Sequence, residues 1–192
     1  MSKTSPQNSS RNVVLDAAEQ LFAVRGYTAV TLKDIAEKLG IKQASLYYHA
    51  PGGKEELYFE VMLRHLEHRR VILEKLISES EPTLEDTLFR IGMWLINQPP
   101  LNPGRMILTD LPELSDQKAA QLEETIGRCF FNPIQDLFVR YQHQLNGDPS
   151  FIGGTFISST EALYAFKRYG VKTDEELIAD LINLLLMGVL KS

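Results

Sequence analysis

The sequence lacks the features of several common classes of protein. Its one cysteine, Cys129, excludes a disulfide framework within the chain. No apolar run reaches the roughly 18 residues that a membrane-spanning helix needs. The polar opening MSKTSPQNSS lacks the apolar centre of a secretory signal, and it predicts a disordered tail over residues 1–10. Together these absences favour a cytoplasmic protein with no membrane segment.

Motifs of catalysis and of metal binding are also lacking. The sequence contains no G-x-S-x-G, no H-E-x-x-H, no P-loop and no Rossmann glycine pattern, so we expect neither an enzyme nor a cofactor. His65 and His68 have a spacing that could share a metal ion on a helix, but no cysteine or acidic cluster completes the set. Cys129 lies in an apolar stretch, which favours a buried, inert thiol over a redox sensor.

An excess of positive charge, which would mark a nucleic-acid binder, is absent from the chain as a whole, since the formal net charge is −5. The distribution is uneven, however. Residues 1–54 hold seven Lys/Arg and four Asp/Glu, a balance of +3, whereas residues 55–192 hold thirteen and twenty-one, a balance of −8. A basic end on an acidic body is expected if only that end meets phosphates.

What the sequence does contain is apolar residues at helical spacing, without strand-like alternation or repeats. Val14, Ala17, Ala18, Leu21 and Phe22 form one such stripe. The pattern predicts an all-α fold of about nine helices: 11–25, Thr31 to Gly40, 43–49, 54–79, Pro82 to Gln98, a short helix ending at Pro112, 115–145 with a kink or break at Asn132-Pro133, one ending at Gly170, and Thr173 to Leu190.

The second and third helices have the geometry of a helix-turn-helix, because they are short and a glycine, Gly40, lies at the bend. Ile41 is expected to fill the angle between them and Leu46 to face inward. The remaining side chains of residues 43–49 could then meet base edges and phosphates in a major groove. The predicted DNA contacts are Thr31, Lys33, Lys42, Gln43, Ala44, Ser45, Tyr47, Tyr48, His49 and Lys54. The alternative is a three-helix packing unit with a polar face.

The order of residues in this stretch resembles the TetR (tetracycline repressor) family. The segments that carry the resemblance are Val14-Leu15-Asp16-Ala17-Ala18-Glu19-Gln20-Leu21-Phe22, Arg25-Gly26-Tyr27-Thr28-Ala29-Val30-Thr31, Asp34-Ile35-Ala36, Leu39-Gly40-Ile41, Leu46-Tyr47-Tyr48-His49 and Lys54-Glu55-Glu56-Leu57. The resemblance implies an all-helical homodimer, a DNA-reading head in helices one to three (residues 11–54), and a C-terminal domain (55–192) that binds an inducer.

The chain departs from the family pattern at several positions near the turn. Lys42 stands where the family usually has Ser or Thr, and Ala44-Ser45 where Gly-Thr is common. Ala50 replaces an aromatic residue, and the turn from Ala50 to Lys54 is one residue longer than usual. These departures leave the operator sequence open.

The C-terminal domain is predicted to contain a ligand pocket and a dimer face. The pocket candidates are Phe89, Met93, Trp94, Met106, Phe130, Phe138 and Tyr141, with His65, Arg90 and Arg128 as polar partners; the alternative is that these residues are ordinary core. The last two helices are expected to form the homodimer as a four-helix bundle, through apolar stripes that include Ile152, Phe156, Leu163, Phe166, Leu177, Leu181, Leu184 and Leu185. These stripes could instead face their own subunit.

The function that this pattern favours is a sequence-specific transcriptional regulator, a repressor released from its DNA operator by a small-molecule inducer. Two alternatives remain open: an activator, and a protein-interaction module that has kept the fold and lost DNA binding. The retained Lys42, Lys54, Tyr47, Tyr48 and His49 speak against the second.

Overall fold

The computed structural model describes residues 6–79, 83–167, 169–170 and 172–189, with the backbone alone for 6–9 and 189. The regular elements of these residues are helices, so the predicted all-α fold is confirmed. They are α1 (Pro6–Arg25), α2 (Leu32–Leu39), α3 (Gln43–Leu46), α4 (Gly53–Ser78), α5 (Leu84–Leu95), α6 (Pro103–Arg105), α7 (Asp116–Ile126), α8 (Asn132–Arg140), α9 (Pro149–Phe166) and α10 (Asp174–Val189). Among the described residues, no helix combines the length and the hydropathy that a membrane span requires.

Several helix ends differ from the predicted ones. The first helix begins at Pro6, so the prediction of a disordered tail was wrong for residues 6–10. The signal failed there because the sequence of this first turn carries no apolar periodicity, and because proline is tolerated in a first turn. The helix α3 ends at Leu46 instead of His49, α5 spans Leu84–Leu95 and α9 ends at Phe166. Pro82 lies outside the described residues.

The chain forms two compact units that do not follow the predicted domain boundary at Lys54. The first extends to His65 and also includes Pro103–Glu124, and the second contains the described residues of Leu66–Asn102 and those from Thr125 onward. The boundary therefore falls inside α4. The functional division into 11–54 and 55–192 stays a prediction.

In the first unit α1 packs against α2, and the predicted stripe of α1 is buried except for Leu21, which is half-buried. Phe22 at the end of α1 packs edge-on against Tyr58 of α4, with ring centroids 5.0 Å apart. Tyr27, which follows α1, lies 4.9 Å from the same Tyr58 ring. Three aromatic rings thus join the C-terminal end of α1 to the N-terminal half of α4.

In the second unit, α8 packs on α9, α9 on α10, and α10 on α5. The contact between α5 and α10 is close, because a Cβ atom on Gly92 would lie only 2.8 Å from Cγ2 of Ile178. Gly92 therefore lets the two helix backbones approach. The apolar character of α5 is explained by this packing, since Leu88 and Ile91 are fully buried.

The predicted interruption at Asn132-Pro133 is confirmed as a widened turn between α7 and α8. Residues Gly127–Phe131 form a π-helical turn, in which the N–H of Asn132 donates to the carbonyl of Gly127. Pro133 has no N–H to continue an α-helical pattern, and its ring would collide with the carbonyl four residues earlier. The extra residue in the turn accommodates the proline, and Cys129 and Phe130 within this turn are buried in the core.

Candidate nucleic-acid interface

The turn between α1 and α2 is fixed by a reciprocal cap, as predicted. The N–H of Asp34 donates to Oγ1 of Thr31 over 3.2 Å, and the N–H of Thr31 donates to Oδ2 of Asp34 over 2.7 Å. The hydrogen bonds that the Asp34 carboxylate accepts from the Thr31 hydroxyl and from the Thr31 N–H lower its pKa. Because the Thr31 side chain is committed to this cap, a phosphate here would meet the N–H groups of the first turn of α2.

The bend between α2 and α3 has the predicted left-handed glycine. Gly40 has φ +66°, and its N–H donates back to carbonyls in the last turn of α2. The N–H of Ile41 donates to the carbonyl of Ala36 over 3.0 Å. The prediction that Ile41 fills the angle between the helices was wrong, because 38% of this residue is exposed. Leu46, which is fully buried, anchors α3 instead.

The face of α3 and of the turn after it is open to solvent. Lys42, Gln43, Ala44 and Ser45 are exposed, and Tyr47 and Tyr48 are 49% and 70% exposed. His49 is half-buried, and its Nε2 lies 3.5 Å from the hydroxyl of Ser10 in α1. The structure thus brings together seven of the ten predicted contact residues on one short stretch of surface. Their contact with DNA stays a prediction.

Two of the predicted lysines differ in their surroundings. Lys33 is exposed in α2, where its ammonium lies 3.7 Å from the Glu37 carboxylate. Lys54 is half-buried: its Nζ donates to the carbonyl of Tyr27 over 3.0 Å and lies 4.0 Å from the centre of the Tyr27 ring. Lys54 therefore ties α4 to the turn after α1, a role that the sequence did not indicate.

Ion pairs connect α1 to α4 in the same compact unit. Arg11 pairs with Glu60, and Arg64 pairs with Asp16 and Glu19 over 2.7 and 2.8 Å. Nδ1 of His65 lies 2.8 Å from the carboxylate of Glu19. Burial alone would raise the pKa of Glu19, but the hydrogen bonds with His65 and Arg64 outweigh it and lower the pKa to about 2.

Acid should weaken this connection. Because the pKa of Glu19 is lower in the folded chain (about 2) than its ordinary value of 4.5, the stabilisation is present above pH 4.5 and is lost as the pH falls toward 2. We expect Glu19→Gln to reduce the free energy of unfolding by about 1–2 kcal/mol at neutral pH, after allowing for solvent screening, and by much less near pH 2. Glu37→Gln, in the exposed pair of α2, is the matched control; denaturant unfolding at several pH values measures both. An equal loss at neutral and acidic pH would contradict the assignment.

The predicted pocket residues are distributed over both compact units. Met106 is buried in the first, whereas the other six lie in the second, with Phe130 and Phe138 buried and Phe89, Met93, Trp94 and Tyr141 half-buried. Their predicted polar partners are engaged elsewhere: His65 with Glu19, Arg90 with the carbonyl of Glu79, and Arg128 with Glu67. Cys129 is fully buried, as predicted, and burial raises the pKa of its thiol.

Sequence reasoning missed a buried charge in the second unit. The side chain of Arg69 is 2% exposed, and its guanidinium carbon lies 5.8 Å from the Trp94 ring centre and 5.5 Å from that of Phe130. The signal was present, since Arg69 lies three residues after Leu66 and four before Leu73 on the buried face of α4. Among the described residues, no cluster of three or more His, Cys, Asp or Glu could hold a metal ion.

The comparisons with known proteins agree with this geometry. The family model described as bacterial regulatory proteins, tetR family, matches residues 14–61, which contain α2, the bend and α3. The HTH-type transcriptional regulator LmrA of Bacillus subtilis is 43% identical over 61 residues, 32% of this chain and 32% of LmrA. The HTH-type transcriptional repressor KstR2 of Mycobacterium tuberculosis is 44% identical over 55 residues, 29% of this chain and 27% of KstR2.

The similarity of fold extends over nearly the whole chain. The structure of the ketosteroid transcriptional regulator KstR2 from M. tuberculosis aligns over 96% of this chain and 97% of that one, with a TM-score of 0.69 and 21% identity. A putative transcriptional regulator from Saccharomonospora viridis, in complex with choline, aligns over 97% and 100%, with a TM-score of 0.71 and 18% identity.

The sequence matches cover about a third or less of LmrA and KstR2. The likeness over nearly the whole chain is one of fold. Residues 14–61 therefore match the tetR family of bacterial regulatory proteins, and the chain as a whole has the fold of the solved structures it resembles.

Proposed function

We propose that this chain is a sequence-specific DNA-binding transcriptional regulator, a repressor released from its operator by a small-molecule ligand. One observation carries the DNA-binding half: the buried Leu46 anchors α3 while Lys42, Gln43 and Tyr48 are exposed on it and on the turn after it. A short helix with this surface fits a major groove, where Gln43 would pair with adenine and Lys42 would neutralise a phosphate.

The relatives support the coarser part of this proposal. LmrA carries the name of a transcriptional regulator and KstR2 that of a repressor. Their sequence similarity to this chain covers 61 and 55 residues, so repression by this chain is inferred from its DNA-binding geometry together with those names.

The DNA-binding half is tested on the DNA upstream of the gene for this chain. Binding measured by fluorescence anisotropy should weaken at least about tenfold between 50 and 200 mM salt, because each phosphate contact releases counterions. A wild-type protein that binds this DNA no more tightly than a random duplex would overturn the proposal. Transcription that increases when the protein binds would make the chain an activator.

A homodimer would supply the two heads that a specific operator needs. The stripes predicted to form its interface are partly used inside the subunit, since Ile152 and Phe156 are buried in the second unit. Two residues of the predicted stripes, Phe166 and Leu184, are exposed, and so are Phe151 and Met187 outside them. Gly154 and Ser158 lie beside Phe151 on α9 and would let a second helix approach closely, so the occupant that we propose for this face is a second copy of the chain.

A glutamate at Phe151 should break this interface. In the free subunit Phe151 is 75% exposed, so Phe151→Glu costs little folding energy, but in a dimer it would bury a charge without a partner. We expect the dimer dissociation constant to rise by about 100-fold, which corresponds to roughly 3 kcal/mol. Val71→Glu, at a 56% exposed position of α4, is the matched control. Sedimentation velocity measures both; a Phe151→Glu protein as dimeric as the wild type would place the interface elsewhere.

The second unit contains a buried cation close to two predicted pocket residues. The guanidinium carbon of Arg69 lies 5.8 Å from the ring centre of Trp94 and 5.5 Å from that of Phe130. The regulator from S. viridis was crystallised with choline, which supports a small-molecule site in a protein of this fold without identifying the ligand of this one. A ligand would release the operator only if it binds the released form more tightly than the DNA-bound form.

A further inference from the structure

Residues 103–124 lie far from the helix-turn-helix in sequence but belong to the same compact unit. Their most buried polar group is Asp110, which is 1% exposed. Its Oδ1 accepts a hydrogen bond from the N–H of Tyr27 over 2.9 Å, and its Oδ2 accepts one from the hydroxyl of Tyr58 over 3.3 Å. One carboxylate thus binds the turn after α1 and the side chain of a residue in α4.

The inward position of Asp110 follows from a local change in helix winding. Residues Met106–Asp110 form a π-helical turn, closed by the N–H of Leu111 donating to the carbonyl of Met106. The wider turn places Met106 and Asp110 inside, while Leu108 is 80% exposed. A regular α-helix would rotate Asp110 away from its present partners, so the unusual winding and the buried carboxylate belong together.

Arg105 completes the arrangement. Its Nη2 donates to the carbonyls of Phe22 and Ala23 over 3.2 and 3.3 Å, in the last turn of α1, and its Nε lies 3.5 Å from Oδ2 of Asp110. The last carbonyls of a helix have no partner within the helix and form its negative end, so a guanidinium is well suited to them. Arg105 and Asp110, which we call the latch, therefore cap α1 and bind the residue after its glycine.

Gly26, which follows α1, allows the turn and also leaves room for the latch. Gly26 has φ +77°, and a Cβ atom there would lie 3.0 Å from Oδ1 of Asp110 and 3.1 Å from Nε of Arg105. Any side chain at this position would push the latch away. A second contact holds the same segment, since Glu55 of α4 accepts the N–H and the hydroxyl of Ser115 over 2.8 and 2.7 Å.

We propose that Asp110 and Arg105 are positioning residues for DNA binding: they fix the C-terminal end of α1 against Tyr58 of α4, and so set the direction in which α2 and α3 project. This inference rests on the proposed function and adds to it a requirement for residues far outside the matched segment 14–61. Burial, together with the Asp110 carboxylate, raises the pKa of Tyr58, whose protonated hydroxyl donates to Asp110.

The test compares operator binding with non-specific binding. Asp110→Ala removes the acceptor for Tyr27 and the charge that faces Arg105, and we expect operator affinity to fall by about tenfold or more with less than threefold change for a random duplex. Asp110→Asn keeps the size and one acceptor oxygen, so its effect should be intermediate. Glu113→Gln removes the same charge from an exposed position of the same segment and should change neither affinity.

The ratio of operator affinity to random-duplex affinity distinguishes a positioning role from a loss of folded protein. A partly unfolded variant loses operator and random-duplex binding by the same factor, whereas misdirected heads lose the operator preferentially. Amide exchange at Tyr27, read by mass spectrometry or NMR, should accelerate in Asp110→Ala and less in Asp110→Asn. If Asp110→Ala fails to fold, the two affinities are compared in Asp110→Asn and Arg105→Met instead.

Equal loss of the two affinities in these variants, or an unchanged exchange rate at Tyr27, would overturn the inference and leave the proposed function intact. A wild-type chain that binds no DNA would overturn both. Retention of full operator preference in Arg105→Met and in Asp110→Asn would likewise show that the latch does not set the direction of α3.

Discussion

Replacing Lys42 and Tyr48 together by alanine is expected to weaken operator binding by about 100-fold, since each of the two side chains should contribute roughly 1–3 kcal/mol to binding. Both are exposed, at the two ends of the segment that contains α3, and Lys42 provides no side-chain cap for that helix. Their removal should therefore leave thermal unfolding nearly unchanged. The dependence of the logarithm of affinity on the logarithm of salt concentration should become shallower by about one unit for the missing lysine.

The control for this double variant is a lysine of equal charge elsewhere. Lys75→Ala removes a 69% exposed lysine of α4 and should alter neither the affinity nor the salt dependence. Anisotropy titrations at four or five salt concentrations measure both proteins. Unchanged operator affinity in the Lys42→Ala, Tyr48→Ala protein would mean that α3 is not the element that meets DNA.

The largest effect on stability is expected at Arg69. Its side chain is 2% exposed and lies 3.5 Å from the carboxylate of Glu161, whose side chain is 8% exposed. The same carboxylate accepts the N–H groups of Leu101 and Asn102 over 2.8 and 3.0 Å. Arg69→Met would leave the Glu161 charge buried without its cation, which should lower the free energy of unfolding by about 3–5 kcal/mol.

A second substitution separates the cost of the orphaned charge from the cost of removing the arginine. Arg69→Met with Glu161→Gln removes both charges and keeps an acceptor for Leu101 and Asn102, so most of the stability should return. Arg140→Met, at an exposed position of α8, is the control and should change stability by less than about 0.5 kcal/mol. A double variant no more stable than Arg69→Met would show that Arg69 is needed for its packing against Trp94 and Phe130, and not for its charge.

Much of the helix-turn-helix could be predicted because its determinants are close in sequence. Thr31 and Asp34 cap each other three residues apart, and Gly40 takes the left-handed conformation that the turn requires. Leu46 was assigned to the core from helical spacing alone. Ile41 could not be placed in the same way, because whether a residue at a bend is covered depends on neighbours that spacing does not reveal.

The predicted pocket illustrates the opposite case. Aromatic and methionine residues mark buried surface, but spacing does not tell a cavity from a filled core. Phe138 is fully buried and Met106 belongs to the other compact unit, and neither property was visible in the sequence. The dimer face was anticipated on helices that do expose apolar side chains, but on a partly different set of residues, since Phe156 faces inward and Phe151 outward.

By itself, the sequence determined the helical fold class, the family resemblance of residues 14–61 and the local geometry of residues 31–46. It could do so because capping, glycine conformation and helical periodicity act within a few residues. Only the tertiary structure decided which charges are buried. Asp110 reaches Tyr27 across 83 residues, and Lys54 turns toward Tyr27 across 27. Such pairs depend on how whole helices pack, and buried charges are placed where packing provides partners for them.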